Sequence, residues 1–217
     1  LFITKTETIS IDIFFTIPTT GYTTPTSYPN MIALWSDEFD GTALNETDWT
    51  FEIGDGCPNC GWGNNELEYY QKANTTVADG YLVIEARKET AGGKQYTSSR
   101  IITKDKVDFK YGRVDIRAVL PKGQGLWPAL WMLGSNINTV GWPKCGEIDI
   151  MELIGGGANR DNRVHGTAHW YDDDPGNNVN YGGHTTLTSG TFADKFHVFS
   201  IIWDAEKIVW LLDNVQY

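Results

Sequence analysis

Glu147, Asp149 and Glu152 stand within one six-residue stretch, Glu147-Ile148-Asp149-Ile150-Met151-Glu152, in otherwise apolar and β-branched sequence. Carboxyl groups at this density can divide acid, base and nucleophile roles, because crowded carboxylates cannot all ionise cheaply and one keeps its proton. Two carboxyls about 5–5.5 Å apart suit the double displacement of a retaining glycosidase. Ile148, Ile150 and Ile154 predict a strand. Regular alternation puts Glu147 and Asp149 on one face, but Met151 rather than Glu152 next to them. One extra residue flips the parity, so a β-bulge near Ile150-Met151 would line up all three carboxylates. A solvated acidic strand face is the plainer reading. The flanking hydrophobics and the need for a bulge argue against it.

The elements that must hold this strand are themselves strands. Trp127, Ala129, Trp131 and Leu133 share one face of a preceding strand by period two, with Pro128, Leu130 and Met132 on the other. After a Gly-rich loop over residues 155–162, Val164–Trp170 predicts a strand with His165, Thr167 and His169 on one face. Its other face carries Val164, Ala168 and Trp170. Asp79-Gly80 is a hairpin signal. Gly112–Leu120 alternates Arg113, Asp115 and Arg117 with Val114, Ile116 and Ala118, and Phe196–Trp203 with Ile208–Leu212 predicts a second hairpin. The polar residues 171–192, with Asp172-Asp173-Asp174, predict a solvated loop. Sustained helical periodicity is missing, so short strands between Gly/Pro turns imply an all-β sandwich or barrel. At the N-terminus Ile9, Ile11 and Ile13 alternate as a strand, and the Thr/Pro-rich residues 16–30 read as a linker.

The 217 residues allow one domain of ordinary size plus a tail. A formal net charge of −11 disfavours nucleic acid and anionic membranes, and it suits a neutral polymer better than a strongly sulfated one. Nine Trp residues exceed what a core needs and fit flat sugar-stacking platforms. No apolar window is long enough to cross a membrane as a helix, and the N-terminus lacks the layout of a signal peptide, as if a signal, or a preceding domain, had already been removed. Cys57-Pro58-Asn59-Cys60 lacks two further nearby ligands for zinc and reads either as a short-loop disulfide or as free thiols. Cys145 makes the count odd. Asn74-Thr75-Thr76 matches a glycosylation sequon, a pattern that also arises by chance.

From about Trp35 to Tyr217 the chain resembles glycoside hydrolase family 16, most of all its bacterial endo-β-1,3-glucanases (laminarinases). The carrying residues are Glu147-Ile148-Asp149-Ile150-Met151-Glu152, the bulged form of that family's acidic strand, which lichenase-like members lack. Asp37-Glu38-Phe39-Asp40, Gly61-Trp62-Gly63-Asn64-Asn65-Glu66-Leu67, Leu126–Met132 and His165-Gly166-Thr167 accompany them. The resemblance implies a two-sheet antiparallel β-jelly-roll sandwich, concanavalin-like, with a concave substrate cleft. It implies Glu147 as nucleophile, Glu152 as acid/base and Asp149 as the residue that hydrogen-bonds the nucleophile. Substrate contacts would be Asn65, Arg100, Trp127, Trp131, Trp142 and His169, although Arg100 is equally a candidate for a structural ion pair and Trp131 for core packing. No cofactor is needed for catalysis. A structural calcium would involve Glu38 and the backbone at Gly80.

The expected activity is endo-hydrolysis of β-1,3-glucan, with mixed-linkage β-1,3-1,4-glucan as a second substrate, by a secreted or cell-surface protein. Another hydrolase or a transglycosylase of the same family, and a non-catalytic glucan-binding protein, are the alternatives. The presence of all three carboxylates argues against the last. The expected layout is a strand and linker over residues 1–30, through which further domains could be tethered, and a catalytic domain over residues 31–217. Compared with the resembling family, that domain ends before its last strands.

Overall fold

The computed structural model describes residues 17–157, 160–174 and 176–217. The expected strand at Ile9–Ile13 lies outside the described residues. Packing divides the chain into two units.

One unit comprises Pro25–Gly112 and Leu133–Cys145. Its strands are short: β1 (Thr50–Glu52), β2 (Glu68–Tyr70), β3 (Thr75–Ala78), β4 (Tyr81–Ile84), β5 (Tyr96–Ser98) and β6 (Arg100–Ile102). They pair two by two, β1 with β6 and β3 with β4 antiparallel, β2 with β5 parallel. The β3–β4 hairpin turns on Asp79 and Gly80, at φ 54° and 76°. Two successive positive φ values define the turn whose twist matches paired strands, and Asp-Gly tolerates them. Cys57 and Cys60 form a disulfide in which Cys145 takes no part. Asn74 is fully buried and donates to Glu85 O (2.8 Å) and Thr97 Oγ1 (2.9 Å), so its sequon offers no room for a glycan.

The sandwich unit comprises Arg113–Met132, Gly146–Tyr217 and the described residues up to Thr24. It is built from β7 (Gly112–Ala118), β8 (Ala129–Leu133), β9 (Glu147–Glu152), β10 (Arg163–Asp172), β11 (Asn177–Thr186), β12 (His197–Trp203), β13 (Ile208–Leu212) and β14 (Val215–Gln216). One sheet runs β11-β10-β9-β8, the other β14-β13-β12-β7. Between them lie Ile150, Met151, Leu153 and Val164 from the first and Phe199, Ile201 and Trp210 from the second. Leu120 and Phe192 complete this core.

β9 carries the expected bulge. Glu152 pairs with His165 and Asp149 with Thr167, so three steps along β9 match two along β10. The extra residue lies opposite Gly166, and both Ile150 and Met151 turn into the core, 1% and 0% exposed. Before the bulge the even residues Ile148 and Ile150 face inward. After it the odd residues Met151 and Leu153 do. The carboxylates of Glu147, Asp149 and Glu152 are thereby left on the opposite face.

Trp210 on β13 fixes this irregularity from the other sheet. Its Nε1–H donates to Asp149 O at 2.8 Å, where the ladder is interrupted. An ideal Cβ on Gly166 would lie 2.2 Å from Trp210 Cδ1, so only glycine lets the indole approach.

Two expectations change. Residues 177–186 form β11, paired along its length with β10, where a polar loop was expected. The strand is mostly exposed, so it lacks the apolar alternation by which strands are recognised. Trp170 has the parity of the inward residues of β10 but is 42% exposed. Gly21, within the Thr/Pro-rich stretch, bridges Phe196 in parallel. Tyr22 N–H donates to Phe196 O and Phe196 N–H to Thr20 O, each at 2.9 Å. Arg117 donates to Tyr22 O (2.8 Å) and stacks over the Phe196 ring at 3.7 Å.

Gly166→Ala forces a methyl into the space of the Trp210 ring. Overpacking of this kind costs about 1–3 kcal/mol. The variant should lose at least that much unfolding free energy in urea titrations followed by Trp fluorescence.

Candidate active site

The β11-β10-β9-β8 sheet and the segment leading into it bring six of the sequence candidates together on the face turned away from the core. Glu147, Asp149 and Glu152 project from β9. Cross-strand register sets His169 opposite Glu147, Thr167 opposite Asp149 and His165 opposite Glu152. His169 Nε2 lies 3.3 Å from Asp149 Oδ2. Trp127, just ahead of β8, is half exposed and donates its Nε1–H to Glu152 Oε1 at 2.9 Å. Trp131 alternates with the core-facing Leu130 and Met132, so it too projects from the carboxylate face.

Asp149 is the most buried of the three carboxylates, 4% exposed. Burial pushes its pKa from 3.8 up to about 8, and the charges of Glu152 and Glu147 and a hydrogen bond with Glu147 add to the shift. Asp149 therefore holds a proton through neutral pH and can donate it in a hydrogen bond to Glu147. Glu152 is raised as well, chiefly by burial and then by the charge of Glu147. The Trp127 N–H and His169 pull the other way. Because the indole occupies Oε1, the Glu152 proton belongs on Oε2, which makes that oxygen the donor to a reacting group.

Asn65, Arg100 and Trp142 belong to the other unit, as do Glu38 and Gly80. Arg100 Nε–H is bonded to Glu52 Oε2, and its guanidinium lies 4.4 Å over the Trp62 ring. This is the ion-pair arrangement open to it from the sequence. Trp142 is 51% exposed and Asn65 is exposed. Glu38 is exposed, and an ideal Cβ on Gly80 would lie 3.9 Å from Asp40 Oδ1. Among the described residues, the one close grouping of three potential metal-ligating side chains is Asp55, Cys57 and Cys60, whose sulfurs are spent on the disulfide.

Trp210 and Gly166 escaped the sequence reading as parts of the site. Both lie in plain strand patterns. The available signal was that a Trp in the core strand Val209-Trp210-Leu211 must find a partner for its N–H.

The family profile described as glycosyl hydrolases family 16 matches residues 59–217. The chain belongs to this family. Its all-β jelly-roll class is that of the family's solved laminarinases. This family 16 chain is 42% identical over 196 residues to the β-glucanase of Rhodothermus marinus, covering 87% of this chain and 65% of that protein. It is 39% identical over 207 residues to glucan endo-1,3-β-glucosidase A1 of Niallia circulans, covering 89% of this chain and 30% of that protein. The laminarinase catalytic domain of Thermotoga maritima superposes with a TM-score of 0.76 at 46% identity, over 85% of this chain and 74% of that one. The chain thus spans less than two thirds of the length of either of these two relatives.

The raised pKa of Asp149 has a signed consequence for stability. Between about pH 4 and 8 the folded chain keeps a proton that the unfolded chain has released, so stability falls as pH rises through that window. Asp149→Asn removes the titrating group. Relative to the parent, it should gain stability from about pH 4 to about pH 9 by more than ~1.4 kcal/mol, the worth of one pKa unit. Urea unfolding at the two pH values measures this.

Proposed function

We propose that the protein is a retaining, endo-acting hydrolase of β-1,3-glucan. The observation that carries this reading is the bulge in β9, which turns Glu147, Asp149 and Glu152 to one face and gives them unequal environments.

In the first step a Glu147 oxygen attacks the anomeric carbon as the glycosidic C–O bond breaks. Glu152 Oε2 gives its proton to the leaving oxygen, and the released sugar departs with a hydroxyl group. In the second step the Glu152 carboxylate takes a proton from water. The water oxygen displaces Glu147, so configuration at the anomeric carbon is retained. Asp149 positions the nucleophile through its hydrogen bond, and His169 packs against Asp149. Trp127 has two roles, an indole face for a sugar ring and an N–H that fixes the rotamer of Glu152. Trp131 offers a second aromatic surface on the same sheet. The family resemblance adds Asn65 and Trp142 of the other unit as proposed sugar contacts, while Arg100 is taken up by Glu52 and Trp62.

The chemistry at the anomeric carbon is indifferent to which hydroxyl leaves, so mixed-linkage β-1,3-1,4-glucan is a second substrate. A structural calcium is read at Glu38 and Gly80 with the Asp40 carboxylate alongside. It would brace those loops and takes no part in the proton transfers. A polymeric substrate places the protein outside the cell or on its surface. No helix among the described residues is long and apolar enough to cross a membrane.

Reducing-sugar release and product sizing on laminarin and lichenan test the assignment. Short oligosaccharides should appear early. Glu147→Gln should abolish turnover, and Glu152→Gln should lower it by about 10²–10⁴-fold. Wild-type rates in either variant would overturn the roles given to these residues.

Trp127→Phe keeps an aromatic face but removes the N–H that favours ionised Glu152. The pKa of the acid then rises, and the alkaline limb of the kcat/KM profile on laminarin should move to higher pH.

A further inference from the structure

Past Glu152 the carboxylate face runs into a pocket of about 240 Å³ lined by Ile154, Arg160, Arg163 and His165. The pocket is continuous with the row described above. His165 is the cross-strand partner of Glu152, and Ile154 follows Glu152 by two residues and is half exposed. On its far side His165 pairs with His184, ring centroids 5.7 Å apart.

The charge in this pocket is opposite to that of the chain as a whole, which carries −11. Among the described residues, two guanidinium groups line it and no carboxylate does. The acid next to Arg160 in sequence, Asp161, is tied down: its Oδ1 accepts the N–H groups of Gly123 and Gly156 at 3.1 Å each. Arg163 spends its Nε–H on Thr186 Oγ1 at 3.1 Å, a bond that steadies the guanidinium through one of its five N–H groups. The Arg163 charge is felt inside the pocket. Burial first, then His184 and Arg163, hold the His165 pKa below its ordinary value, so the positive charge at neutral pH is that of the arginines.

A neutral glucan offers guanidinium groups only single hydroxyl acceptors, which leave the charge unmatched. Their planar, two-pronged donors match a carboxylate or a sulfate ester. The volume exceeds by far the ~30 Å³ of one water, leaving space for such a group together with part of its sugar ring. We infer that this pocket is a subsite for an anionic substituent, carboxylate or sulfate, carried by a glucan whose scissile bond is presented to Glu152. The inference rests on the reading of Glu152 as acid/base. It runs against the first impression from net charge, because the field at a site is set by the groups that line it rather than by the sum over the chain.

The test compares three substrates of matched length: neutral laminarin, partially carboxymethylated laminarin and partially sulfated laminarin. The full chain is assayed as parent and as the double variant Arg160→Ala/Arg163→Ala. The expected result is that the double variant lowers kcat/KM on an anionic substrate, relative to kcat/KM on neutral laminarin, by about tenfold. Added NaCl should lower the same ratio in the parent and not in the variant. A drop confined to the sulfated or to the carboxymethylated polymer supports the inference and names the group. Equal ratios in parent and variant overturn it. If the parent cleaves no glucan, the hydrolase reading falls instead. The pocket is then judged by calorimetric titration of Glu152→Gln with carboxymethylated laminarin, with and without the two arginines, and equal affinities would sink it.

Discussion

The contact of Trp210 with Gly166 and the Asp149 carbonyl is the constraint on which the candidate site depends. A bulge leaves a strand locally without its ladder partner and free to choose its twist. Here the choice is removed, because an indole from the opposite sheet fills the space over Gly166 and donates to the carbonyl beside the bulge. The same contact is buried in the core with Ile150 and Met151. Loss of register in β9 would therefore expose two large apolar side chains, each worth about 1.5–3 kcal/mol when buried. Core packing and carboxylate alignment are one event in this sandwich.

That coupling explains why the site tolerates electrostatic strain. Burying Asp149 between two glutamates is unfavourable to its charged form, and the pKa near 8 records the penalty. The penalty falls on a strand whose inward face is among the best buried in the unit, so the fold can absorb it. Trp127 offsets part of the corresponding effect at Glu152. The three carboxyls thus differ in proton affinity because they differ in partners, although they share one strand.

Legibility in the sequence followed the strength of the local signal. The bulge could be read from parity alone, because three carboxylates in six residues leave one alignment that spares the core. The Asp79-Gly80 hairpin was readable because its turn requires residues that accept positive φ. The turn at Asp213-Asn214 into β14 has φ values of 51° and 65°, but without glycine it carries a weaker sequence signal. β11 went unread because an exposed edge strand shows no apolar period, and its pairing with β10 is a long-range fact. Arg100 shows the remaining gap. Its residue type fitted both a sugar contact and an ion pair, and only the position of Glu52 and Trp62 distinguishes what it does in the fold.

The stretch from Thr20 to Tyr22 has a mechanical consequence. Its bonds to Phe196 run as a parallel bridge, and Arg117 closes over the same ring. Tension along the segment would load these bonds together, in shear, instead of opening them one after another. The load enters beside β12 and β7, in the sheet that bears none of the three carboxylates. A tug on this segment would be taken up before it reached the strand that carries the three carboxylates.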